Sequence, residues 1–192
     1  WKSGKKISID SATLMNKLFE LIEAKNIFNI PYKKISVLTH PDSYVHAIVK
    51  FTNGLTKILI HDTSMKIPIF NSLYFKDTSK TIVSKELNVH KLNNLCFLKP
   101  DLKKFPALDI IKMLPKKLSL FETVLVTVND EVVKLFLNKK IKFNQIVPII
   151  LKIIKSKDFI KYKKITPINL KNITDLNKFV CSKIQSLVYK SS

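Results

Sequence analysis

The stretch KKISIDSATLMNKLFE, Lys5 to Glu20, carries both the first change of secondary structure and the densest group of chemically useful side chains. Ile7 and Ile9 alternate with polar residues, which predicts a short strand over Lys5–Asp10. Asp10 and Ser11 then read as a helix start, because a side-chain oxygen there accepts a bond from an unpaired first-turn N–H. The helix is predicted from Ser11 to about Phe28, and Pro31 ends it. At about 100° per residue, Leu14, Leu18 and Leu21 share one stripe, whereas Thr13, Asn16, Lys17 and Glu20 fall within roughly a 100° arc on another.

That second face presents a hydroxyl, an amide, an ammonium and a carboxylate beside a helix start. Free N–H groups there, with Ser11 and Lys17, suit a phosphate. Glu20 suits a divalent cation, which prefers oxygen ligands. The competing reading is a solvated face of an amphipathic helix.

Outward from this stretch, Lys34–Thr39 is predicted as a second strand, followed by a turn at HPDS (residues 40–43), where Pro41 disfavours helix at His40. Val45–Thr52 reads as a third strand and Leu55–His61 as its return. Asn53-Gly54 between them predicts a two-residue type I′ hairpin turn. Ile67–Tyr74 is a short helix with Pro68 in its first turn. Residues 76–104 lack periodicity apart from a short strand near Leu95–Leu98, and read as a connection between subdomains. Helices are predicted at Pro106–Leu114, within Ser119–Leu137, at Asn144–Ile154 and at Thr174–Tyr189. The last carries an apolar stripe of Leu176, Phe179, Val180, Ile184, Leu187 and Val188. The predicted class is α+β: a small sheet with a packed helix over 1–75, a linker over 76–104, and an all-α bundle over 105–192.

With 192 residues, 46% of them apolar, the chain can bury a core. The net charge of +20 invites a nucleic-acid reading. Yet all 34 basic residues are Lys, in no run longer than two, whereas base-edge recognition favours Arg. Specific nucleic-acid binding is therefore not expected. A non-catalytic, Lys-rich polyanion-binding module is the alternative function. Cys96 and Cys181 fit no metal spacing and read as buried, reduced residues, which points to a reducing compartment such as cytoplasm. The apolar stretch Ile146–Ile154 is too short to cross a bilayer. Only two glycines occur, Gly4 and Gly54, so no glycine-rich dinucleotide fingerprint is present.

IDSATLMNKLFELIEA (9–24), preceded by Trp1 and followed by VLTHPDSYVHAIV (37–49), resembles the 1-deoxy-D-xylulose 5-phosphate reductoisomerases. NGLTKILIHDTSMKIPI (53–69), LCFLKPDLKKFPALDI (95–110) and TVLVTVNDEVVKLFLNKKIKF (123–143) continue the resemblance, which weakens after about residue 155. It implies an NADPH- and Mg²⁺- or Mn²⁺-dependent enzyme of non-mevalonate isoprenoid synthesis. The expected reaction converts 1-deoxy-D-xylulose 5-phosphate, a sugar phosphate, to 2-C-methyl-D-erythritol 4-phosphate. The chain, beginning with Trp, reads as the C-terminal fragment of such an enzyme, inactive alone and without its NADPH-binding domain. A homodimer through the sheet is implied, with no membrane association, in cytoplasm or, behind a transit peptide, in a plastid-type organelle.

The resemblance also assigns roles to residues. Glu20 matches one of three metal ligands, the other two preceding residue 1. Glu20 and Lys17 are the catalytic candidates. Ser11, Asn16 and Lys17 match positions that bind the substrate's phosphate and hydroxyls. Trp1 matches a flap over the substrate, Gly4 a position near the nicotinamide, and His46 one near the active site. His40 reads as structural, and His61 and His90 suggest no partner. Two departures stand out. Leu18 occupies a position where the family usually has Gly. Val126–Glu131, VTVNDE, replaces an Asn-Ala-Ala-Asn-Glu run, at what is predicted to be the opening of a structural helix. A degenerate paralogue is the third reading, and the presence of Ser11, Asn16, Lys17 and Glu20 argues against it.

Overall fold

The computed structural model describes residues 4–189. In chain order it contains α1 (Lys5–Thr13), α2 (Met15–Phe28), β1 (Val45–Lys50), β2 (Thr56–Ile60), α3 (Lys66–Leu73), α4 (Val89–Asn93), α5 (Phe121–Leu137), α6 (Ile146–Ile154), α7 (Lys157–Ile160) and α8 (Leu170–Tyr189). The class is α+β, as expected, with a single two-stranded antiparallel sheet among the described residues. Two compact units result: residues 1–37 with 101–192, and residues 38–100.

In the first unit α5 is the spine. Phe121, Val124, Leu125, Val128 and Val132 recur at helical spacing and are fully buried. Side-chain bonds frame the turn before the helix: the Phe121 N–H donates to Ser119 Oγ at 3.2 Å, and the Ser119 N–H donates to Glu122 Oε2 at 3.4 Å. Ile146, Ile150 and Ile154 of α6 and Leu176, Val180 and Ile184 of α8 pack into the same core. Phe179, expected on the α8 stripe, is 43% exposed, and the side chains of Leu187 and Val188 lie outside the described residues. Met15, Leu18 and Ile22 of α2 also enter this core, with Ala107 and Ile110 from the 3-10 turn Pro106–Met113. The first helices thus pack on the helical half, whereas the sequence grouped them with a sheet over 1–75.

Two local expectations fail in this unit. Lys5–Asp10 is the first part of helix α1 and not a strand: Ile7 is 47% exposed, so the alternation buries no face. The predicted helix from Ser11 to Phe28 is broken at Leu14, which adopts a left-handed conformation at φ 59°. Thr13 makes the break. Its hydroxyl donates to the Ile9 carbonyl at 3.0 Å and accepts the Met15 N–H at 3.4 Å, ending one helix and starting the next. Thr13 is therefore buried and does not join the polar face. Ser11 lies in the last turn of α1 and caps no helix start; its carbonyl accepts the Leu14 N–H at 3.2 Å.

A buried tie joins α1 to α5. Asp10, 3% exposed, accepts from Asn129 Nδ2 at 2.9 Å through Oδ1 and from Lys6 Nζ at 2.6 Å through Oδ2. Lys6 also pairs with Asp130 at 3.0 Å. Burial alone would lower the Lys6 pKa, but the hydrogen bonds and charges of Asp10 and Asp130 outweigh it and raise the value. VTVNDE, Val126–Glu131, hence sits in the middle of α5 and does not open it. Asn129→Ala should destabilise the chain by about 2–3 kcal/mol in urea unfolding, because it strips a buried carboxylate of a donor. Asp130→Asn, at a more exposed position, should cost under about 1 kcal/mol. Equal effects would show that the Asp10–Asn129 bond holds nothing.

In the second unit β1 and β2 pair antiparallel, with Lys50 opposite Thr56 and an irregularity at Val45–Ala47. The turn differs from the predicted type I′. The Gly54 N–H bonds the Phe51 carbonyl at 3.1 Å, the Phe51 N–H bonds the Leu55 carbonyl at 2.8 Å, and only Gly54 has positive φ, +88°. This is a three-residue loop, a tight turn followed by a left-handed glycine. The Lys34–Thr39 strand is likewise absent, apart from one bridge between Thr39 and Leu98. With no third strand, Ile48, Val49, Ile58 and Leu59 stay exposed on both faces of the hairpin. The turn at 40–43 and the helix near Ile67–Tyr74 form as expected, while the connection at 76–104 contains α4. Tyr44 anchors α4: its hydroxyl accepts the Asn88 N–H at 3.3 Å, and Lys91 lies 5.3 Å over its ring.

Candidate active-site face on the second helix

The break at Leu14 gives α2 its own N-terminus within a turn of the candidate residues. Leu18 donates its N–H to the Leu14 carbonyl at 3.2 Å, so the earlier N–H groups of Asn16 and Lys17 belong to an unpaired first turn. Burial of Met15, Leu18 and Ile22 fixes the rotation of α2 about its axis. Leu21 is buried too, while the expected Leu14 is only half-buried. The opposite side of the helix holds Asn16, Lys17 and Glu20.

Those three converge. Asn16 Nδ2 donates to Glu20 Oε1 at 3.1 Å, and Lys17 Nζ donates to Glu20 Oε2 at 2.6 Å. The Lys17 and Glu20 side chains are 39% and 46% exposed, so the group is open to a ligand. Ser11 is exposed on α1, two positions before the Thr13 hinge. Gly4 is the residue before α1; its carbonyl accepts the Ser8 N–H at 3.1 Å. His46 lies on β1 in the other unit, stacked on His61 with ring centroids 3.6 Å apart and its Nε2 3.1 Å from the His61 carbonyl. His40 contacts the Cys96 carbonyl at 3.1 Å, a structural role. Trp1 lies outside the described residues.

The chemistry of this face is that of an anion and cation clamp. A lysine ammonium, an amide and unpaired backbone N–H groups can take phosphate oxygens. The Glu20 carboxylate is a hard oxygen donor and fits a divalent cation as one ligand. Among the described residues no group of three His, Cys, Asp or Glu side chains could hold a metal alone. The two cysteines are free and less buried than expected: Cys96 is exposed and Cys181 half-buried beside Glu131 and Asn177. What the sequence reading missed is Thr13 as hinge and Asn129 as anchor. An Asn between buried Val128 and Val132 was the available signal.

A family model described as the DXP reductoisomerase C-terminal domain matches residues 61–181, and one described as the 1-deoxy-D-xylulose 5-phosphate reductoisomerase C-terminal domain matches residues 1–28. The chain belongs to the DXP reductoisomerase C-terminal domain family. The Pelagibacter ubique reductoisomerase is 54% identical over 187 residues, which are 97% of this chain and 48% of that protein. The Persephonella marina reductoisomerase is 44% identical over 84% of this chain and 43% of its own length. Among solved reductoisomerase structures, that from Zymomonas mobilis in complex with NADPH matches with TM-score 0.81 at 32% identity, over 95% of this chain and 47% of that one. A reductoisomerase in complex with NADPH, fosmidomycin and magnesium matches with TM-score 0.83 at 31% identity, over 98% and 47%. The chain thus spans about half the length of the reductoisomerases it matches. No described helix is long and apolar enough to cross a membrane.

Proposed function

We propose that this chain is the C-terminal half of a 1-deoxy-D-xylulose 5-phosphate reductoisomerase, working in the cytoplasm in non-mevalonate isoprenoid synthesis. The observation that carries the proposal is the convergence of Asn16 and Lys17 on the Glu20 carboxylate at the start of α2. It supports a site for a phosphorylated, cation-bound substrate in a chain 54% identical to a reductoisomerase.

In this reading Lys17, Asn16 and Ser11 hold the substrate's phosphate and hydroxyls, and these remote contacts orient the reacting carbons. Glu20 is one of three ligands to Mg²⁺ or Mn²⁺, the other two lying in a part of the enzyme preceding this chain. The bound cation supplies Lewis-acid polarisation of substrate oxygens during the skeletal rearrangement. NADPH, held mainly by the preceding domain with Gly4 near its nicotinamide, supplies the hydride. The exposed apolar hairpin supports a homodimer contact through the sheet.

Joining this chain to the N-terminal half of the Pelagibacter ubique relative tests the proposal. With 1-deoxy-D-xylulose 5-phosphate and Mg²⁺, the fusion should oxidise NADPH at an enzymatic rate, while the 192-residue chain alone should not. A folded, NADPH-binding fusion without turnover would favour the degenerate paralogue. Binding only to polyanions, steeply weakened by salt, would favour the Lys-rich module.

A further inference from the structure

Near the C-terminal end of α2, in the first unit, lies a cleft of about 350 Å³ lined by Lys25, Asn26, Asn29, Lys116, Lys117 and Leu118. It shares no residue with the Asn16–Lys17–Glu20 group. Its volume falls in the range of small-molecule sites. Three lysines and two asparagines line it, and no acidic residue does.

Lys25 is the fixed member. Its side chain is only 11% exposed, lies 5.7 Å from the Tyr32 ring centroid, and donates to Asn26 Oδ1 at 3.0 Å. Glu122 Oε1, itself mostly buried, stands 3.9 Å from the Lys25 ammonium. One of the three positive charges is thereby balanced and two are left over. The partial negative charge at the end of α2, roughly half an elementary charge, offsets only a fraction of that surplus. Lys116 and Lys117 are exposed, so their repulsion within one cleft is relieved only by solvent or by a bound anion. Lysine ammoniums act as point charges that can gather around a tetrahedral oxyanion.

We propose that this cleft binds a small phosphomonoester dianion, with Lys25, Lys116 and Lys117 on its oxygens and the Asn29 amide completing the shell. The ligand's two charges match the two left unbalanced.

The test is an amide chemical-shift titration of the chain with methyl phosphate at constant ionic strength. Saturable shifts are expected at Lys25, Asn26, Asn29, Lys116 and Lys117. The double substitution Lys116→Gln with Lys117→Gln should weaken that binding about tenfold or more, since it removes two charge-assisted contacts. Both lysines are exposed, and unchanged shifts elsewhere would show the variant folded. Shifts that never saturate, or that survive the double substitution, would overturn the proposal. So would saturation confined to Asn16 and Lys17, which supports the substrate site alone, or saturation only with an oligonucleotide.

Discussion

Glu20→Gln should abolish metal-dependent turnover in the completed enzyme, by about a thousandfold or more, and leave folding almost untouched. A metal acting as Lewis acid contributes several kcal/mol to the transition state, and each factor of ten in rate is about 1.4 kcal/mol. The amide of Gln keeps the size of the side chain and loses the anionic oxygen that a divalent cation prefers. Stability should hardly move, because Glu20 is half exposed and its partners are a surface lysine and a surface amide on its own helix. Such pairs are worth under about 1 kcal/mol. Turnover at varied Mg²⁺, read beside a urea unfolding curve, separates the two effects. Retained turnover would remove Glu20 from the metal site. Lost turnover together with a collapsed unfolding transition would make it a structural residue.

Leu18→Gly, a change toward the residue usual in the family at this position, should cost about 4 kcal/mol or more. Leu18 is fully buried with Met15, Ile22, Ala107 and Ile110 in the core of the first unit. Truncating a buried Leu to Ala costs about 2–5 kcal/mol, and Gly within a helix adds about 1 more. Domains of ordinary stability hold only about 5–15 kcal/mol in total, so the variant should be near unfolding at room temperature. Leu18→Ala, measured alongside by chemical denaturation, isolates the packing part from the backbone part. The departure at this position is then compensated packing, a leucine filling space inside the first unit. A cost below about 1 kcal/mol for the glycine variant would refute the core role and return attention to Leu18 as a residue crowding the site.

Periodicity reported burial well wherever one helix face met one core. α5, α6 and α8 were legible as helices for that reason, and Leu176, Val180 and Ile184 of the expected α8 stripe are buried. The face of Asn16, Lys17 and Glu20 was legible too, because i, i+3 and i, i+4 spacing needs only a helix. The failures share a cause in information far along the chain or in a single hydroxyl. Ile7 and Ile9 imitate a strand, and what makes Lys5–Thr13 a helix includes Lys6 reaching Asp10 one turn on. Leu is a good helix former, so nothing local announces that Leu14 turns left-handed; the Thr13 hydroxyl decides it. The partner of Asp10 stands 119 positions away at Asn129, beyond any local pattern. Asn53-Gly54 marked a turn correctly, but which turn depended on Asn53 keeping negative φ while Gly54 alone crossed over.

The shared core of the first unit also imposes an order in time. Met15, Leu18 and Ile22 share their core chiefly with residues 107–184. At synthesis rates of about 5–20 residues per second, the first two helices leave the ribosome several seconds before α5 exists to cover them. During that interval their apolar stripe is exposed to water, and isolated helices this short are marginal. The segment at 38–100 is made meanwhile, with its two ends clasped by Thr39 and Leu98. The helices bearing the substrate-binding candidates are thus made well before the core that secures them, and their maturation is paced by the arrival of Asn129.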